Sequence, residues 1–188
     1  MDEAFSRRDL ALLGAGVAAA ASLPSTALAQ ARGSGPSGLT RGDWFAQVRA
    51  QHQAISAGFQ MVRNARGPAA MKAAFKRLST LLAAHSIAEE VALYPGPAVT
   101  GQGDQAEMRQ LYEEQQMAKV MTARIDAALA MGQRDQAMTL LGQLEQALMA
   151  HVREEETQFF PALQRSAGAA MNDKMTRDFR MVFSQAMS

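Results

Sequence analysis

Two stretches of this chain repeat one another in a single register. His85-Ser-Ile-Ala-Glu89-Glu90-Val-Ala-Leu-Tyr94-Pro95 recurs as His151-Val-Arg-Glu-Glu155-Glu156-Thr-Gln-Phe-Phe160-Pro161, every matching position offset by 66. Each stretch carries a histidine and a glutamate four residues apart, which on a helix stand one above the other on the same face. Upstream, Gln51-His52-Gln53-Ala54 pairs with Glu114-Gln115-Gln116-Met117 at an offset of 63, and His52 is matched by Gln115. A duplicated helical hairpin is the expected architecture.

The apolar periodicity carries the same message. Phe45, Val48, Ile55, Phe59 and Val62 recur at three- and four-residue steps and predict a helix over 41–65, capped by Thr40 with Asp43 at its third position. Gly67-Pro68 ends that helix and opens a second, which runs through Met71, Phe75, Leu78, Leu82, His85, Glu89 and Ala92 to the breakers Tyr94-Pro95-Gly96-Pro97. A third pattern, 104–131, stops at Gly132, and a fourth runs from Asp135 to about Leu163 through Leu141, Leu144, Leu148, His151, Glu155 and Phe159. A short amphipathic segment over 171–187 is expected to fold back on the rest. With no strand-like run, the fold class is all-α: an up-down-up-down four-helix bundle with a short C-terminal helix.

Both His-x3-Glu pairs fall on the apolar stripe of their helices. A buried histidine or carboxylate costs several kcal/mol unless it is paired or bound to a cation. At a rise of about 1.5 Å per residue, His52, His85, Gln115 and His151 reach one layer of the bundle, with Glu89 and Glu155 one turn beyond. Taken alone, a core histidine such as His52 is more often a hydrogen-bonded structural residue; all three of the chain's histidines at one height favour a metal site. Imidazole nitrogen with carboxylate oxygen suits iron, manganese or zinc, and carboxylates on facing helices can bridge two ions. Glu90 and Glu156, about 100° round the helix from their neighbours, are expected on solvated faces. Trp44, Tyr94 and Phe160 read as packing residues near the bundle ends.

Composition narrows the alternatives. The chain has no cysteine, so thiolate metal sites, iron–sulfur clusters and disulfides are excluded. A net charge of +1 leaves no field for a polyanion, and no nucleic-acid partner is expected. No phosphate loop, cysteine nucleophile or Glu-x-x-His di-iron spacing is present, and no enzymatic activity is specified. At the N-terminus, Arg7-Arg8, an Ala-rich run from Leu10 to Leu23 and Ala27-Leu28-Ala29 predict an export signal over 1–29 of the twin-arginine type. The run is too short to span a bilayer, so no stable membrane insertion is expected after its removal, and the product is expected in the periplasm. A flexible Gly/Ser/Pro tether over 30–39 precedes the folded domain, 40–188.

The lone His52 and the two His-x3-Glu-Glu segments, each running into an aromatic residue and a proline, resemble the hemerythrin-like, or HHE cation-binding, family over about 41–163. The resemblance implies a four-helix bundle holding non-haem iron, mono- or dinuclear, with manganese or zinc as alternatives. It implies a role in binding or sensing O2, nitric oxide, peroxide, iron or redox state. Carried over, it makes His52, His85 and Glu89 ligands from the first hairpin and His151 and Glu155 their equivalents from the second. Gln115 departs from the family, which has a histidine there. An amide is a poor ligand for iron, so the resemblance leaves open weak ligation by Gln115, an asymmetric or mononuclear centre, or a site completed by Tyr112, Glu114 or water. The alternative function is a metal-poor bundle serving as a structural or interaction module; a protein partner is not specified.

Overall fold

The computed structural model describes residues 42–96 and 105–188, all within the compact unit Ser34–Ser188. The expected export signal, the tether and Thr40 lie outside the described residues. Helix α1 is Trp44–Asn64, α2 is Pro68–Ala92, α3 is Gln105–Ala130 and α4 is Arg134–Glu154. A π-helical turn, Glu155–Phe159, carries α4 into the short α5, Phe160–Ser166, and α6 spans Gly168–Ala186. The described residues contain no strand, and none of their helices is long and apolar enough to cross a membrane.

Local chemistry sets the boundaries. The cap of α1 is Asp43 rather than Thr40: its carboxylate accepts the Ala46 N–H at 2.8 Å, so the helix begins later than expected. Gly67, at φ 87°, makes the tight reversal into α2, and Pro68 takes the first turn, where its missing N–H costs nothing. Gly132, at φ 74°, closes α3; the Gln133 N–H returns to the Ala128 carbonyl at 2.8 Å and the Gly132 N–H to that of Leu129 at 3.2 Å. Short reversals at these two points force α1 against α2 and α3 against α4, while α2 also meets α3 and α1 meets α4, closing the four-helix ring.

The interior has three storeys. One apolar cluster gathers Ile55, Phe59, Phe75, Leu78, Ile125, Leu141 and Leu144 at the end where the α1–α2 and α3–α4 reversals lie. A second gathers Trp44, Val48, Leu93, Leu111, Phe160, Phe179 and Phe183. Between them lies a layer of buried polar groups. The C-terminal helix is more than a flap: α6 packs along α2 and α1 and buries Met175, Phe179 and Phe183. It is tied down by Trp44, whose indole N–H donates to Asn172 Oδ1 at 2.8 Å. Phe179→Ala is expected to cost about 3–5 kcal/mol, as for a core phenylalanine, whereas Met181→Ala, at an exposed position of the same helix, stays within about 0.5 kcal/mol. Urea unfolding of the two variants measures the difference, and equal effects would contradict a core role for α6.

Candidate metal centre

The polar layer is built by four helices. Helix α1 contributes Gln51 and His52, α2 contributes His85 and Glu89, α3 contributes Glu114 and Gln115, and α4 with its π turn contributes His151 and Glu155. His52, His85, Glu89, Gln115, His151 and Glu155 are each at least 95% buried. The six residues that the sequence placed in one region of the bundle interior are all brought there.

Four of them converge. One donor atom each from His52, His85, Glu89 and Glu155 lies within 4.8 Å of all the others. His85 Nε2 stands 3.2 Å from Glu89 Oε1, and His52 Nε2 stands 3.9 Å from that oxygen and 3.4 Å from Glu155 Oε2. Although two of these distances are short, none of the four atoms has a hydrogen-bond partner; with Gln51 Nε2 they are the buried side-chain atoms without one among the described residues. At about 1–3 kcal/mol per unsatisfied group, such a set rivals the whole stability of a small domain, about 5–15 kcal/mol. Two imidazole nitrogens and two carboxylate oxygens are a suitable donor set for a divalent ion of the iron, manganese or zinc type. Donors about 2.1 Å from a shared ion stand at most about 4.2 Å apart, so the set needs to close by only about half an ångström.

The far side of each imidazole is held. His85 Nδ1 faces Gln51 Oε1 at 2.9 Å, His52 Nδ1 faces Glu156 Oε1 at 2.7 Å, and His151 Nδ1 faces Glu114 Oε2 at 2.8 Å. Such partners fix the tautomer and aim the opposite nitrogen inward. Glu156 departs from a purely solvated role: one step round from an inward residue, its side chain is 30% exposed yet reaches His52 on the neighbouring helix α1. Glu90, expected on a solvated face, is only 18% exposed and accepts from Lys119 Nζ at 2.7 Å and from Ser86 Oγ at 3.3 Å.

Tyr94 is the second departure. Its ring is fully buried and its hydroxyl enters the layer, donating to Glu155 Oε1 at 2.7 Å and accepting from Gln115 Nε2 at 2.7 Å. Gln115 also donates to Glu89 Oε2 at 2.8 Å and accepts from Ser86 Oγ at 2.8 Å. Tyr112 packs edge-on against the Tyr94 ring and gives its hydroxyl to the Glu90 carbonyl, away from the four converging atoms. Gln51, Glu156 and Tyr94 were missed as site residues. The signal available for Gln51 was its match to Glu114 in the repeat.

The prolines after the two segments explain how both glutamates are aimed. Pro95 and Pro161 have no N–H, and in a regular helix each ring would crowd the carbonyl four residues back. Both copies widen the turn before the proline: the Tyr94 N–H reaches the Glu89 carbonyl at 3.0 Å, and the Phe160 N–H reaches that of Glu155, five residues back in each case.

Burial penalises every charge here, and the pairings decide the outcome. Burial alone would lower His52 and His151, but hydrogen bonds and charge from the surrounding carboxylates raise them to about 9 and about 10. His85, pressed by burial and by the charge of His52, is lowered well below the usual imidazole value. Burial and the neighbouring Glu155 raise Glu89 well above the ordinary carboxyl range, while His151 and His52 overcome burial to lower Glu155. Burial, then Glu89 and Glu155, raise the Tyr94 phenol.

Comparison with known proteins follows the same lines. The family model described as Hemerythrin HHE cation binding domain matches residues 45–178. A DNA nickase from Nostoc sp. (strain PCC 7120 / SAG 25.82 / UTEX 2576) is 27% identical over 139 residues, 73% of this chain and 38% of that relative. The chain thus spans well under half the length of the curated relative it matches. No solved structure matches.

The raised histidines set a pH dependence. A metal ion must displace the His52 proton, so affinity rises about tenfold per pH unit for each proton released and levels off above pH about 9. The metal-free protein runs the other way. His52 and His151 contribute stability that is complete below the unfolded value near 6.5 and is lost as pH rises through about 9 and about 10. Calorimetric titration with zinc(II) at several pH values, in buffers of different ionisation enthalpy, measures the released protons; pH-independent affinity would contradict the assignment.

Proposed function

The chain belongs to the hemerythrin family, and on that premise we propose that it holds non-haem iron between His52, His85, Glu89 and Glu155. The reading is carried by one observation: the inward atoms of these four side chains are buried, convergent and without hydrogen-bond partners. Bound there, iron would supply redox chemistry and affinity for small ligands such as O2 or nitric oxide. The protein's own groups position and insulate it. Gln51 and Glu156 orient the imidazoles, and the two apolar clusters keep bulk water from the layer's floor and roof.

Access for a small molecule is supported by a cavity of about 350 Å³ between α2 and α3. Leu82, Ala118, Thr122 and Leu148 line it, and His85, Gln115 and His151 stand at its inner side. The role proposed is small-molecule or redox sensing, or iron binding itself. DNA cleavage is not carried over from the nickase, most of whose length lies outside the match.

Elemental analysis after purification without chelator is expected to find iron in the protein, and chelator is expected to lower its melting temperature, because a ligand that binds only the folded state stabilises it. A metal-free preparation whose melts coincide with and without iron(II) would instead support a bundle kept as an interaction module.

We further propose that the protein is exported, on the strength of the paired arginines, the short apolar run and Ala27-Leu28-Ala29. The expected mature N-terminus is Gln30. Replacing Arg7 and Arg8 with Lys is expected to leave the full-length chain in the cytoplasm, as judged by fractionation and N-terminal mass; unaltered processing would count against the twin-arginine route.

A further inference from the structure

The internal repeat defines two cation positions, not one. Its register exchanges His52 with Gln115, His85 with His151, and Glu89 with Glu155. The first position is bounded by His52 Nε2, His85 Nε2, Glu89 Oε1 and Glu155 Oε2, all without hydrogen-bond partners. Applying the exchange, the second is bounded by Gln115, His151 Nε2, Glu155 Oε1 and Glu89 Oε2.

At that second position the two carboxylate oxygens already accept short hydrogen bonds. Tyr94 Oη lies 2.7 Å from Glu155 Oε1, 2.7 Å from Gln115 Nε2 and 3.4 Å from His151 Nε2. Gln115 Nε2 takes the remaining carboxylate oxygen, Glu89 Oε2, at 2.8 Å. One amide hydrogen and the phenolic hydrogen thus fall on the carboxylate lone pairs that a second ion would need, while the other amide hydrogen holds the phenol oxygen. Each glutamate is divided in the same way, one oxygen bonded to the Tyr94–Gln115 pair and the other left free toward the first position. Phe160, the repeat counterpart of Tyr94, has no hydroxyl to offer the first position.

We infer that Tyr94 and Gln115 form a built-in polar plug that occupies the second cation position, so that this chain binds a single ion where its duplicated architecture would otherwise hold two. The inference rests on the proposed metal function and specifies its stoichiometry. It also gives the Gln115 substitution a positive role: the amide supplies the two N–H groups that hold the phenol and the Glu89 carboxylate in place.

The test is metal counting by native mass spectrometry on the full chain, stripped of metal and titrated anaerobically with iron(II). The wild type is expected to take up one ion. Tyr94→Phe combined with Gln115→His, which removes the hydroxyl and restores an imidazole, is expected to take up two. No ion in the wild type would overturn the metal function itself. Two ions in the wild type would overturn the plug alone, as would a doubly substituted protein that binds its first ion normally and stops there. Because the double variant can fail to fold, air-oxidised wild type provides an independent readout. An isolated high-spin iron(III) resonance is expected. A coupled, resonance-silent pair, or a phenolate-to-iron(III) absorption band that disappears in Tyr94→Phe, would overturn the inference.

Discussion

The fold is organised around the burial of ionisable side chains in a closed layer between two apolar clusters. A helical bundle of this length could fill its centre with apolar side chains, as this one does above and below the layer. Two imidazoles and two carboxylates instead turn atoms that have no hydrogen-bond partner toward one another, at separations close to those of ligands around a shared ion. The cost of leaving them so is comparable with the stability of the domain. On the proposed function, a bound cation would turn that cost into a cross-link among α1, α2 and the π turn after α4.

The supporting structure is aimed at this layer. The reversals at Gly67 and Gly132 set the heights of paired helices. The wide turns before Pro95 and Pro161 lie at the carbonyls of the two glutamates, so the breaks in regular helix fall where the carboxylates must be positioned. Gln51 and Glu114, matched in the repeat, hold His85 and His151 from behind in the same way. The duplication therefore extends from sequence to backbone hydrogen bonds and to the support of the histidines, and it fails at Gln115 and Tyr94.

Much of this was legible beforehand, for identifiable reasons. Apolar spacing at three and four residues gave the helices, and the stripe residues from Phe45 to Val62 and from Leu141 to Phe159 are the ones found buried. Helix rise and loop position alone put His52, His85, Gln115 and His151 in one layer with Glu89 and Glu155 a turn beyond, but did not say which four of the six converge. What sequence could not supply was direction. Tyr94 sits next to a helix end and reads as packing, yet its phenol turns inward. Glu156 reads as solvated from its rotation about its own helix, because rotation alone does not say which neighbouring helix lies in its path. The start of α1 was set three residues too early because Thr40 and Asp43 are both good caps, and only the backbone path shows which one is used.

The central claim is most directly tested by anomalous X-ray diffraction from crystals of the iron-loaded full chain, with data on both sides of the iron absorption edge. A single anomalous peak is predicted among His52 Nε2, His85 Nε2, Glu89 Oε1 and Glu155 Oε2, with none beside the Tyr94 hydroxyl. An iron peak elsewhere, or direct hydrogen bonds closing those four atoms upon themselves with no peak between them, would contradict it.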